Sequence, residues 1–104
     1  DLHSFPTRRS SDLVGDYVIA MEVEGQQLDS VELSGKLQRI FDTGSSTIDF
    51  IIGGSLGLSD KVKRRADYGM SFSMLTFPHQ LARVMLLEQV YRAFKISNGE
   101  TYHK

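Results

Sequence analysis

Apolar positions along the chain change period in a regular way, and those changes predict its elements. Tyr17 to Val23 is short, β-branched and aromatic, which predicts a buried strand ending at the turn signal Glu24-Gly25. Asp29 followed by Glu32 is a capping-box signature. It opens a helix carrying Val31, Leu33, Leu37, Ile40 and Phe41 at helical spacing, with Gly44 as a left-handed stop. Thr47 to Ile52 predicts a second strand running into the glycine-rich loop Gly53-Gly54-Ser55-Leu56-Gly57-Leu58. Ser59 is placed to cap a short basic helix over about Asp60 to Asp67. A third short strand is expected at Gly69 to Ser73, and a long helix at about Pro78 to Ile96, with Pro78 in its first turn and Asn98-Gly99 ending it.

Strands alternating with helices imply crossover connections, and so an α/β fold with a mostly parallel sheet covered on both faces. The long helix is unusual within that scheme. Leu81, Val84, Met85, Leu87, Val90, Tyr91 and Phe94 are too many apolar residues for a helix with one buried face, so part of it is expected to sit at a subunit interface.

Composition alters this picture little, but charge does. The 104 residues contain no cysteine, which removes disulfides and thiolate zinc sites and fits a cytoplasmic protein. Three histidines without a supporting cluster are too few for a metal site, and the longest aliphatic run, Val84 to Leu87, is too short for a membrane span. The formal net charge of −1 hides an asymmetry. From Val14 to Asp60 two basic residues face eight acidic ones, whereas from Lys61 to Lys104 eight basic residues face three acidic ones. A basic half attracts phosphate even in an acidic molecule, because the local field is set by charges within a Debye length. Arg83, Arg92 and Lys95 on the long helix, with Lys104 at the end, belong to this basic half and are its candidate phosphate contacts.

The first thirteen residues stand apart. Ser4-Phe5-Pro6-Thr7-Arg8-Arg9-Ser10-Ser11-Asp12-Leu13 resembles one reading frame of a sequencing adapter, so residues 1–13 are set aside as a foreign, disordered head and residues 14–104 are taken as the domain. On that reading the natural chain is cut at its N-terminal side.

Gly53-Gly54-Ser55-Leu56-Gly57 matches the G-x-S-x-G nucleophile elbow at a strand-to-helix turn. A serine hydrolase built on Ser55 would draw on Asp60 or Asp67 and on His79 or His103. Three segments taken together point elsewhere. These are Phe50 to Leu58, then Ser71-Phe72-Ser73-Met74-Leu75-Thr76-Phe77-Pro78-His79-Gln80, then Leu87 to Ile96 with the terminal Tyr102-His103-Lys104. In order and spacing they resemble the RlmH family of SPOUT methyltransferases, over about Tyr17 to Lys104.

The resemblance implies an α/β fold with a C-terminal deep trefoil knot, its first elements missing here. It implies S-adenosylmethionine as cofactor and methylation of N3 of a pseudouridine in helix 69 of 23S ribosomal RNA, within the ribosome, by a homodimer. Matching positions make Met21, Gly53, Phe72, Ser73, Met74, Leu75, Thr76 and Phe77 the cofactor contacts, held largely through main-chain groups. One departure concerns Ser73-Met74-Leu75-Thr76, because family members often carry Ser-Lys-Met-Thr and the cation is absent here. The reaction needs alignment and removal of a proton but no metal. His79 and His103 are the candidates to take that proton, with Tyr102 stacking on the base and Lys104 on phosphate; in the family the tail reaches the partner subunit's cofactor site. A non-catalytic, knotted RNA-binding or dimerisation remnant is the other alternative.

Overall fold

A computed structural model describes residues 15–53 and 58–100, and residues 2–5 by their backbone. The elements in chain order are β1 (Leu2–Phe5), β2 (Tyr17–Gln27), α1 (Ser30–Asp42), β3 (Ile48–Gly53), α2 (Asp60–Arg65), β4 (Tyr68–Ser71) and α3 (His79–Ser97). The sheet has the order β1-β3-β2-β4. β2 runs parallel to both β3 and β4, giving the expected α/β class, while β1 joins β3 antiparallel. Leu2–Phe5, inside the segment set aside as a head, pairs with the edge of β3, and residues 6–14 lie outside the described residues.

Strand alternation divides the core in two. Ile19, Phe50, Ile52 and Met70 pack with Leu33, Leu37 and Ile40 of α1 and with Ala82, Leu86 and Ala93 of α3. On the opposite face Val18 and Ile51 pack with Val62 of α2. α1 and α3 are also joined by polar contacts: Ser34 Oγ lies 2.9 Å from the Ala93 carbonyl and 2.6 Å from Ser97 Oγ, and Ser30 Oγ donates to Gln89 at 2.9 Å.

The local signals act as their chemistry demands. Asp29 accepts from the Glu32 amide at 2.7 Å while Glu32 accepts from the Asp29 amide at 2.8 Å, closing both halves of the capping box. Gly44 takes φ +109 just after α1 and Gly99 takes φ +75 just after α3, so both helices stop where glycine permits a positive φ. Ser59 caps α2 through the Val62 amide at 3.3 Å.

Several boundaries differ from expectation. β2 continues through Gln27 instead of stopping at Val23, because the chain shifts register between Met21 and Gln26 and pairs with β4 again. α2 stops at Arg65, two residues early: Ala66 is extended, and Asp67 Oδ2 is drawn to the Val18 amide at 2.8 Å and to Arg65 at 3.2 Å. β4 begins one residue early and ends at Ser71, whose hydroxyl turns to the Ser73 carbonyl at 2.8 Å. Pro78 is the N-cap of α3 and not its first helical residue, since its ψ of 139 is extended.

α3 carries two apolar faces. Ala82, Leu86 and Ala93 point into the core, while Val84, Leu87, Tyr91 and Phe94 lie on roughly the opposite side with Leu81 flanking them, all exposed. Among the described residues nothing buries this stripe. Among the described residues, no helix is long and apolar enough to cross a membrane.

Candidate active site

Parallel strands place their carboxyl ends at one edge of the sheet. The chain leaves β2 toward β3 on one side and reaches β4 on the other, which opens a crevice at the point where strand order reverses. A cleft of about 810 Å³ occupies that position. Its walls come from the second half of β2, the end of β3, the residues after β4 and the amino end of α3.

Of the eight residues expected to contact the cofactor, Met21, Gly53, Phe72, Ser73, Leu75, Thr76 and Phe77 line this one cleft. They come from three separate segments, brought together only by the parallel register of β2 with β3 and β4. Met74 does not line it; its side chain is 74% exposed at the loop tip. The loop leading to α3 is held by its serines: Ser73 Oγ accepts from the Leu75 amide at 2.9 Å, and its carbonyl accepts from the buried Ser71.

His79, at the first turn of α3, lines the cleft together with Pro78 and Ala82. Pro78 supplies no side-chain cap, so the positive end of a 19-residue helix borders the cavity. Tyr102, His103 and Lys104 lie outside the described residues, as do Gly54 to Gly57 with the Ser55 of the hydrolase alternative. Neither Asp60 nor Asp67 reaches the cleft beside His79, and Asp67 is engaged with Val18 and Arg65. The two aspartates named for a hydrolase are thus not among the residues that line the cleft with His79. Among the described residues no group of three metal-ligating side chains occurs.

The cationic candidates on α3 have intramolecular partners. Arg92 pairs with Glu88 at 2.6 Å, and Lys95 pairs with Glu100 at 3.1 Å while lying 5.3 Å from the centre of the Tyr91 ring. The carboxylate of Glu100 holds the Lys95 ammonium above its ordinary pKa. Arg83 lies on the same helix, four residues beyond His79.

Sequence reasoning passed over Glu22, Glu24 and Lys63, which also line the cleft. Glu22 and Glu24 were read as the end of a strand and the start of a turn. Alternation along a strand would set Glu22 and Glu24 on the face opposite Met21 and Val23, so no sequence signal marks all four as lining one cleft.

Comparison with known proteins places the chain among methyltransferases. Residues 9–103 match the family model described as predicted SPOUT methyltransferase, so the match begins inside the segment set aside as a head. The chain is 60% identical over 88 residues to the ribosomal RNA large subunit methyltransferase H of Clostridium botulinum, covering 85% of this chain and 55% of that protein. It is 54% identical over 98 residues to the protein of the same name from Leuconostoc citreum, covering 92% and 62%. With the Streptococcus agalactiae relative the identity is 57% over 89 residues, covering 86% and 56%. The chain thus spans a little over half the length of the curated relatives it matches. A family match over residues 9–103, with relatives 54–60% identical over most of the chain, establishes that the chain belongs to the SPOUT methyltransferase family, among the large subunit methyltransferases H.

Proposed function

We propose that this chain carries the methyl-transfer site of an S-adenosylmethionine-dependent enzyme acting on N3 of a pseudouridine in helix 69 of 23S ribosomal RNA. The observation that carries the reading is the convergence of Met21, Gly53 and the loop Phe72 to Phe77 on one cleft. Its volume of about 810 Å³ falls inside the roughly 300–1,000 Å³ of small-molecule sites. The lining also fits the chemistry of the donor. Met21, Ile52, Leu58, Met70 and Phe72 offer apolar walls to a purine, the loop offers peptide donors and acceptors, and the amino end of α3 suits a carboxylate.

When bound, the sulfonium supplies an already activated methyl group. The protein's part is alignment and proton removal. Gly53 lets the ligand approach the backbone. His79, at the cleft's edge, is suited to take the N3 proton, assisted by His103 from the tail. Tyr102 stacks on the base and Lys104 meets phosphate. Arg83, Arg92 and Lys95 add RNA contacts from α3, with Arg92 and Lys95 exchanging Glu88 and Glu100 for phosphate.

The exposed stripe Leu81, Val84, Leu87, Tyr91 and Phe94 supports a homodimer, because a monomer would leave this contiguous apolar face in water. The trefoil threading of the family belongs to the same proposal. It is consistent with the segments after β3 and β4 both lining the cleft. The test is calorimetric titration of the 104-residue chain with S-adenosylmethionine, followed by transfer of labelled methyl to large ribosomal subunits. Saturable binding with transfer is expected. Binding without transfer to ribosomes or free 23S RNA would favour the non-catalytic remnant, and no binding by a folded chain would overturn the reading.

A further inference from the structure

Glu22 follows Met21 on β2 and lines the same cleft, partly buried. Its carboxylate lies over the bare backbone of β4: a Cβ built on Gly69 would stand 2.8 Å from Glu22 Oε2. Among the described residues Glu22 forms neither a hydrogen bond nor an ion pair, although Lys63 lines the same cavity. A carboxylate that is partly withdrawn from water and left without a partner favours any cation that enters beside it. Glu24 lines the cleft too, but farther along β2 and exposed, where water and salt weaken its field.

We infer that Glu22 makes the cleft selective for the positively charged methyl donor over the neutral thioether that transfer leaves behind. The inference rests on the cofactor reading above. Transfer breaks one C–S bond and forms the N3–CH3 bond, while N3 gives its proton to a base. The sulfur keeps the C–S bonding pair and loses its charge. The attraction to Glu22 is lost at that moment, so the spent cofactor is held less tightly than the fresh one.

The test measures the affinities of the 104-residue chain for S-adenosylmethionine, S-adenosylhomocysteine and sinefungin, whose protonated amine keeps a cation near the sulfur position. Glu22→Gln is expected to weaken the two charged ligands roughly tenfold and the neutral one by less than about twofold. Gly69→Ala, which displaces the carboxylate without removing it, should shift the ratio the same way, and Glu24→Gln should leave it unchanged. Equal weakening of all three ligands, or none, would overturn the inference. Should Glu22→Gln not fold, the salt dependence of the unaltered chain decides: screening must narrow the gap between charged and neutral ligands, and a constant gap would overturn the inference. A folded, unaltered chain that binds none of the three would instead overturn the cofactor reading itself.

Discussion

Gly25 lies directly on the backbone of Met70: a Cβ built at Gly25 would stand 2.7 Å from the Met70 amide nitrogen and 2.8 Å from its carbonyl carbon. The obstacle is main chain and cannot rotate away. This contact lets β2 shift register after Met21 and pair again with β4 through Gln26 and Gln27. Gly25→Ala should therefore separate the two strands that form one wall of the cleft. The expected cost is about 1–3 kcal/mol of stability, with a loss of S-adenosylmethionine affinity. Urea unfolding and calorimetry on the same sample check both, and an unchanged midpoint would show that the strands are not held by this approach.

The exposed side of α3 gives a second prediction. Val84 is 62% exposed at the centre of the apolar stripe and makes no part of the core. Val84→Asp should convert a dimer to a monomer in analytical ultracentrifugation while leaving the folded monomer's helical content intact. A monomer both before and after the substitution would remove the homodimer from the account.

Much of this arrangement is legible from local chemistry. The capping box at Asp29 and Glu32, the serine cap of α2 and the glycines closing α1 and α3 are each decided within a few residues, and each acts as its type requires. The boundaries that moved were decided from a distance. Asp67 leaves α2 because the Val18 amide, 49 positions away, needs an acceptor, and β2 outlasts Val23 because β4 passes beneath Gly25. The same holds for the cleft. The family motifs pointed to Met21, Gly53 and the loop after β4, but Glu22 and Lys63 are known as wall residues only once β2, β4 and α2 are assembled around them.

Met74 is exposed and lies outside the cleft lining, in the segment where the family resemblance led us to expect a lysine. Met74→Lys should leave S-adenosylmethionine affinity within about twofold, as for an exposed site that touches no ligand. Any gain should appear in RNA binding at low salt, where an added cation meets phosphate. A large change in cofactor affinity would put Met74 back in the cleft.

Tyr17 and Tyr68 begin neighbouring strands, and Lys36 Nζ lies 3.8 Å from the Tyr68 ring centre and 5.9 Å from that of Tyr17. Burial raises both phenol pKa values, helped by the charge of Asp67 at Tyr17 and of Glu32 at Tyr68. Burial, with Arg39, pushes Lys36 down, while attraction to the rings opposes that push. The fold prefers neutral phenols, so their contribution to stability is full below the ordinary tyrosine pKa of about 10 and is lost as pH climbs through the raised values. An alkaline absorbance titration should show late-ionising tyrosines that disappear in Tyr17→Phe and Tyr68→Phe. Titration of both at the ordinary value would contradict their burial beneath α1.

Amide chemical-shift mapping of the 104-residue chain during titration with S-adenosylmethionine tests most directly whether the cleft takes the proposed cofactor. The expected result is saturable perturbation of the Met21, Gly53 and Phe72 to Phe77 amides, all at one dissociation constant, with the amides around Tyr17 and Tyr68 unmoved. Saturable shifts confined to other residues, or a folded chain whose spectrum does not change, would contradict it.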